Sequence, residues 1–149
     1  MTATELELAW AAGILDGEGC ISISSRKADR EHQQQHQFTV TVSCCDWRIP
    51  RKLLELFGGR INTFHNARKK PQWREAMRWN VYQRQAAATL EAVMPYLISK
   101  REQAEVALEF IGTIAPYGKG RPYRLDSSVV TRREEMAQRL RVLKREEAV

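Results

Sequence analysis

Phe38-Thr39-Val40-Thr41-Val42-Ser43-Cys44 alternates strictly, with apolar side chains at even positions and polar ones at odd positions. A period of two gathers the apolar side chains on one face of an extended segment, which makes it a half-buried strand. Cys20-Ile21-Ser22-Ile23-Ser24-Ser25-Arg26 repeats the pattern, with Ile21 and Ile23 set against Ser22, Ser24 and Arg26. The polar stretch from Lys27 to Gln35 joins the two strands as a hairpin. A sheet with one apolar face needs a layer of helices to cover it.

Helical periods flank the hairpin. Thr4 to Leu15 reads as a helix with Thr4 as N-cap and Glu7 completing a capping box, and Gly17 and Gly19 are expected to end it. Asp46 is expected to cap the next helix, with Pro50 in its first turn. Ile49, Leu53, Leu56 and Phe57 recur at helical spacing there, and Gly58-Gly59 stops it. Arg60 to Ala67 and Trp73 to Gln83 read as a third and a fourth strand around the basic loop Arg68-Lys69-Lys70-Pro71. Ala86 to Met94 is a third helix, halted by Pro95. Ser99-Lys100-Arg101-Glu102 fits the capping box of a fourth, with Ala107, Phe110, Ile111 and Ile114 on one face. After a loop at Gly118-Lys119-Gly120-Arg121-Pro122, Thr131 opens a last helix with Met136, Leu140 and Leu143 inward. The order is helix, hairpin, helix, hairpin, helix, then two more helices: an α+β domain with antiparallel sheet. The two αββ halves share element order without a residue-level repeat. A chain of 149 residues supports one such domain and leaves little room for a second.

Charge is distributed unevenly. The net charge is +6, yet Arg51 to Arg84 holds nine basic residues against the two acids Glu55 and Glu75. The first fifty residues carry four basic and seven acidic ones. A basic block beside an acidic one fits a polyanion partner met by one face, and equally a solvated surface. An apolar fraction of 43% running through the whole chain excludes disorder as the main state. No apolar run approaches the roughly 18 residues of a membrane span. The acidic start MTATELELAW carries no basic leader region, so no secretory or transit signal is expected. Three cysteines, with Cys44 and Cys45 adjacent, fit a reduced intracellular protein; these two lack zinc-ligand spacing. His32, His36 and His65 lie in polar surroundings and none is assigned to a metal.

The first helix ends oddly. Asp16 and Glu18 sit at its carboxyl end, where the helix dipole disfavours anions by about 0.3–1 kcal/mol each. Carboxylates beside free carbonyls are hard oxygen ligands suited to Mg2+; the alternative is a solvated acidic turn. Ala9, Ala12 and Gly13 are small residues three and four apart, a spacing that lets two helix backbones approach closely. Tight packing under the sheet would use the same residues.

Ala11-Ala12-Gly13-Ile14-Leu15-Asp16-Gly17-Glu18-Gly19 resembles the LAGLIDADG motif of homing endonucleases: a small pair, two aliphatics, acid, glycine, acid, glycine, then an alternating strand. The likeness continues from Phe38 to Ile61, through Leu53-Leu54-Glu55-Leu56-Phe57-Gly58-Gly59, and returns at Met94-Pro95-Tyr96-Leu97-Ile98-Ser99-Lys100-Arg101-Glu102-Gln103. One copy of the acidic motif resembles the single-motif members, which act as homodimers. The resemblance implies an αββαββα domain with a curved antiparallel sheet, a core at about 4–114 and a helical extension at about 115–149. It implies a site-specific double-strand DNA endonuclease that hydrolyses phosphodiester bonds with Mg2+ or Mn2+ on a long pseudo-palindromic site, encoded within a mobile intron or intein. By position in the motif, Glu18 is the metal-binding acid and the Gly17 carbonyl a second ligand; many members have Asp at this place. Asp46 is the residue that orders active-site water, and Lys100 the basic residue beside the phosphate. Ala9, Ala12, Gly13 and Asp16 fall at the subunit interface, with Asp16 also supporting the motif turn. The alternative is a protein of the same fold that binds without cleaving, an RNA maturase or a DNA-binding regulator. A generic basic interaction domain is a weaker third.

The polar sheet face is then the DNA-reading face. Its outward residues are Ser22, Ser24 and Arg26 on the first strand, and Gln37, Thr39, Thr41 and Ser43 on the second. Asn62, Asn66 and Arg68 follow on the third, and Arg74, Arg78 and Asn80 on the fourth. Lys69, Lys70, Arg48 and Arg51 are better placed for phosphates than for bases. No membrane and no small-molecule cofactor is expected as a partner. The protein is expected inside a cell, in bacterial or phage cytoplasm or in an organelle.

Overall fold

The computed structural model describes residues 2–64, 74–114 and 124–147. The elements run α1 (Glu5–Glu18), β1 (Gly19–Arg26), β2 (Gln35–Cys44), α2 (Arg48–Phe57), β3 (Arg60–Phe64), β4 (Ala76–Tyr82), α3 (Gln83–Val93), a 3-10 turn (Met94–Tyr96), α4 (Arg101–Ile111) and α5 (Ser127–Glu147). The strands form one four-stranded antiparallel sheet in the order β1-β2-β4-β3. Each hairpin stays intact, and β2 and β4 meet at the centre. This is the αββαββα arrangement with C-terminal helices that the alternation and the helical periods lead to.

The phase of the strands holds. Ile21, Ile23, Phe38, Val40, Val42, Trp79 and Val81 are all buried and form the inner face. Ala11, Ala12 and Leu15 of α1, Leu53 of α2, Leu90 of α3 and Phe110 of α4 pack against them. Burying a side chain of this size is worth about 1.5–3 kcal/mol, so this layer is what holds the sheet under the helices. Trp79 is the largest fully buried side chain, and its Nε1–H donates to the Gly58 carbonyl at 2.8 Å, so the indole is both buried and satisfied. Gly58 and Gly59 have φ of 69° and 98°, a backbone that an L side chain rarely adopts, and they end α2 as expected.

Several boundaries differ from the sequence expectation. The Thr4 capping box forms, but α1 runs through Gly17 to Glu18. Gly19 is the residue that must lack a side chain: its N–H caps Leu15, and a Cβ there would lie 2.6 Å from the Leu15 carbonyl. Trp47 rather than Asp46 holds the N-cap position of α2, although Asp46 Oδ1 still accepts from the Arg48 N–H. β4 ends at Tyr82, because Gln83 turns to φ 48° and opens α3 three residues early. Its side-chain oxygen accepts from the Phe38 N–H at 3.1 Å and so replaces the lost strand partner. No capping box forms at α4, since its N-cap is Lys100 and Ser99 points elsewhere. α5 starts one turn before Thr131, where Asp126 accepts from Ser128. It lies along α4 and the edge strand β1 with Met136 and Leu140 buried. Among the described residues no helix is long and apolar enough to cross a membrane.

Candidate functional site

The end of α1 runs directly into the sheet, with Glu18 as the last helical residue and Gly19 the first of β1. Gly19 pairs with Val42, so the end of α1 borders the end of β2. Two of the residues in this corner resolve the electrostatic oddity of the sequence. The Asp16 carboxylate turns away from its own helix and accepts from the backbone N–H of Ile98 at 2.8 Å and of Lys100 at 3.0 Å, and from the Ser99 hydroxyl at 3.1 Å. It caps the start of α4, where a helix dipole favours an anion. Partial burial pushes its carboxyl up, but the N–H donors of Ile98 and Lys100, with Ser99 and the Lys100 charge, outweigh that and hold it below its usual 3.8. The Lys100 ammonium makes the opposite move and donates to the Asp16 carbonyl at 2.6 Å, at the negative end of α1.

Glu18 remains. It is exposed, and nothing among the described residues pairs with its carboxylate. An acid at a helix C-terminus without a partner has a local cost and no structural return in the single chain. Asp46 lies two residues beyond the end of β2 and is already gripped by Arg48, whose Nε and Nη2 donate at 2.9 and 2.6 Å. These bonds, with the Arg48 N–H, hold its carboxyl at about 2. Arg48 is thereby committed to Asp46, although it was expected to meet phosphate.

The outward sheet face carries cross-strand rows. Cys20, Thr41, Asn80 and Arg60 stand in one register across all four strands, and Ser43, Arg78 and Asn62 in the next. Arg78 is exposed, donates from Nε to the Ser43 hydroxyl at 3.1 Å and stacks 4.6 Å from the Phe64 ring. Its guanidinium is thus aimed before any partner arrives. Ser24, Arg26, Gln37, Asn62 and Arg74 are exposed, and Ser22, Thr39, Thr41 and Ser43 half-buried. Asn80 corrects the expectation: it has the expected phase but is 5% exposed, hemmed in by neighbours on both sides, with its amide donating to the Arg78 carbonyl. Arg51 lies over the exposed Trp47 ring at 5.7 Å. Asn66, Arg68, Lys69 and Lys70 fall outside the described residues. An open depression of about 630 Å3 between Gln37, Gly59, Arg60, Tyr82 and Gln85 adds Arg60, Tyr82 and Gln85, which alternation alone did not single out.

The outer side of α1 also corrects two assignments. Ala12 is fully buried in the chain's own core, and Asp16 is spent on α4, so neither is free to face a second helix. Ala9 and Gly13 are exposed, beside Leu6 at 84% and Trp10 at 37% exposure. A Cβ at Gly13 or Gly17 would meet nothing within 4 Å. Leu6, Trp10, Gly13 and Gly17 recur at spacings of four and three, a signal that was present in the sequence as one helix face.

Solved structures resemble this arrangement closely. The homing endonuclease I-CvuI, determined in complex with DNA, shares 26% identity over 93% of this chain and 82% of its own, at a TM-score of 0.72. An archaeal intron-encoded homing endonuclease complexed with DNA superposes at a TM-score of 0.73, with 16% identity over 93% of this chain and 84% of that one. The LAGLIDADG homing endonuclease I-LtrWI, bound to target DNA, matches at a TM-score of 0.65 and 17% identity, over 93% of this chain but 45% of its own length. The chain has the fold of the LAGLIDADG homing endonucleases. Comparisons with family models and with curated sequences give no match. The chain carries one acidic motif, at Asp16–Glu18, and its sequence is about half as long as that of I-LtrWI. Among the described residues no three His, Cys, Asp or Glu side chains gather into a metal site. The oxygen donors at the α1 terminus, the Glu18 carboxylate and the Gly17 carbonyl, suit a hard divalent cation but make only part of a coordination shell.

Proposed function

We propose that two copies of this chain pair through α1 and cut double-stranded DNA at a specific pseudo-palindromic site, using a divalent metal. The observation that carries this reading is Glu18, an exposed carboxylate without a partner among the described residues, beside a polar sheet, while its neighbours Asp16 and Lys100 are mutually engaged. Close packing of two α1 faces at Gly13 and Gly17 would bring two such carboxylates together, one from each copy.

Glu18 and the Gly17 carbonyl would hold Mg2+ or Mn2+, which when bound supplies Lewis acidity toward a phosphate oxygen. I-CvuI has been solved with DNA in 2 mM Mg and in 2 mM Ca, which supports divalent metals as the ions to test. Lys100, already held at the same helix end, offers a fixed positive charge to the reacting phosphate. Asp46 offers an ionised acceptor for a water molecule. The exposed Ser24, Gln37, Asn62 and Arg78 face base edges in the major groove, and Arg26, Arg51 and Arg74 face phosphates. The mobile-intron role and an intracellular setting, in bacterial or phage cytoplasm or an organelle, belong to the same proposal. The three free cysteines support that setting.

Selection of cleaved sites from a random duplex library with Mg2+, repeated with Glu18→Gln, tests it. The unmodified protein enriches one site with approximate two-fold symmetry. The variant retains binding and loses at least about 100-fold in cleavage rate. Binding without cleavage by the unmodified protein would replace the nuclease reading with that of a non-cleaving regulator or RNA maturase.

A further inference from the structure

The β1–β2 connection projects past the last strand pair, Arg26 with Gln35, at the edge of the sheet. Its tip folds on Asp29, whose Oδ1 accepts from the N–H of Glu31 at 2.8 Å and of His32 at 2.7 Å. That leaves Arg26, Lys27 and Arg30 as exposed cations along one short arm. An edge arm of eight or so polar residues has little apolar area to hold it in place.

The far end of the chain holds it instead. Gln33 and Leu125 clasp each other twice: Gln33 Nε2 donates to the Leu125 carbonyl at 2.9 Å, and the Leu125 N–H donates to Gln33 Oε1 at 2.7 Å. Glu134 of α5 then receives both Gln34 Nε2 at 2.9 Å and His36 Nε2 at 2.7 Å on one oxygen. The His36 side chain is fully buried against Phe110, and Glu134 is its one hydrogen-bond partner among the described residues. Since a carboxylate only accepts, His36 Nε2 carries the proton. Arg141, on the same face of α5, reaches Glu134 at 3.6 Å and the Ser25 hydroxyl at 3.3 Å, which ties the first strand of the arm to the same brace.

We propose that Glu134 is a positioning residue for DNA recognition: through His36 and Gln34 it fixes the β1–β2 arm so that Arg26, Lys27 and Arg30 meet the phosphates flanking each half-site. The inference rests on the DNA-cleaving reading above. Glu134 itself touches no DNA; it removes the ordering cost that a loose arm would meet on binding. Its effect therefore falls on affinity and on the outer phosphates, and leaves the chemistry at Glu18 alone.

Three proteins test this: Glu134→Ala, Glu134→Gln, which keeps an acceptor for His36, and Arg30→Ala. Amide hydrogen exchange across residues 27–34 reads the brace in the free protein. Phosphate-ethylation interference, Kd and kcat on the selected site read its use. Glu134→Ala should raise arm exchange and Kd by about tenfold each, with kcat at saturating DNA within about twofold of the unmodified protein. Its lost phosphate contacts should include those lost in Arg30→Ala, and Glu134→Gln should restore most of the affinity. An arm that loosens while Kd and footprint stay unchanged overturns the proposal, as does a loss of kcat alone. Failure of the unmodified protein to select any DNA would overturn the endonuclease reading, and the positioning role with it, even where exchange shows the brace intact.

Discussion

Asp16 and Lys100 each reach across to the end of the other's helix: the Asp16 carboxylate accepts from the Lys100 N–H at 3.0 Å, and the Lys100 ammonium donates to the Asp16 carbonyl at 2.6 Å. Each side chain leaves the end of its own helix that repels it and reaches the end of another that attracts it. The clasp fixes the direction in which α1 enters the sheet, and hence where Glu18 stands.

Asp16→Ala removes three hydrogen bonds to a half-buried carboxylate and uncaps α4. The expected loss is about 1–3 kcal/mol of folding stability, reduced from the sum of the bonds because the group is partly in water. Urea unfolding measures it. An unchanged midpoint would mean that the clasp holds nothing.

The same carboxyl sets a pH dependence. Its folded value lies below its usual 3.8, so its contribution is complete above about that pH and is lost as pH falls through the lower folded value. Stability of the unmodified protein should therefore fall more steeply than that of Asp16→Asn below about pH 4. Parallel curves for the two proteins in acid-titrated unfolding would contradict the assignment.

Gly13 separates folding from pairing. A Cβ there meets nothing within 4 Å in the single chain, so Gly13→Ala should stabilise the monomer by about 0.5–1 kcal/mol through helix propensity. Gly13→Arg should fold as well as the parent but fail to bring two α1 faces together. Sedimentation of the DNA-bound protein reads this, and a Gly13→Arg dimer of unchanged affinity would locate the interface elsewhere.

Arg78 is the preset cation of the sheet face, held by Ser43 and Phe64. Arg78→Ala should weaken binding to the selected site and relax discrimination at one base pair by about 1–3 kcal/mol if it reads a base. If it meets a phosphate, binding weakens evenly across sequences and the salt slope drops by about one. A variant with neither change would take Arg78 out of the interface.

Much of this architecture could be read from side-chain order. The period of two in Phe38–Cys44 placed Phe38, Val40 and Val42 in the core, and Gly58-Gly59 marked the end of α2. The acidic motif at Asp16–Glu18 pointed to the family whose fold the structural comparisons show. Boundaries failed where a distant group took over a local role. Ser99 has the sequence of a capping residue, yet Asp16, 84 residues from Lys100, does the capping. Asn80 has the right phase for the polar face and is closed in by the strands beside it.

Local order decides which atoms a segment must hide, because alternation and helical spacing act within a few residues. It therefore determined the element order, the two sheet faces and the lone acidic motif of this chain. Which polar group satisfies which is a matter of what lies within about 3 Å after collapse, and that partner can come from anywhere in the chain. Only the tertiary structure showed that Asp16 serves α4, that Lys100 serves α1, that Glu134 serves the β1–β2 arm, and that Glu18 keeps an unpaired charge among the described residues.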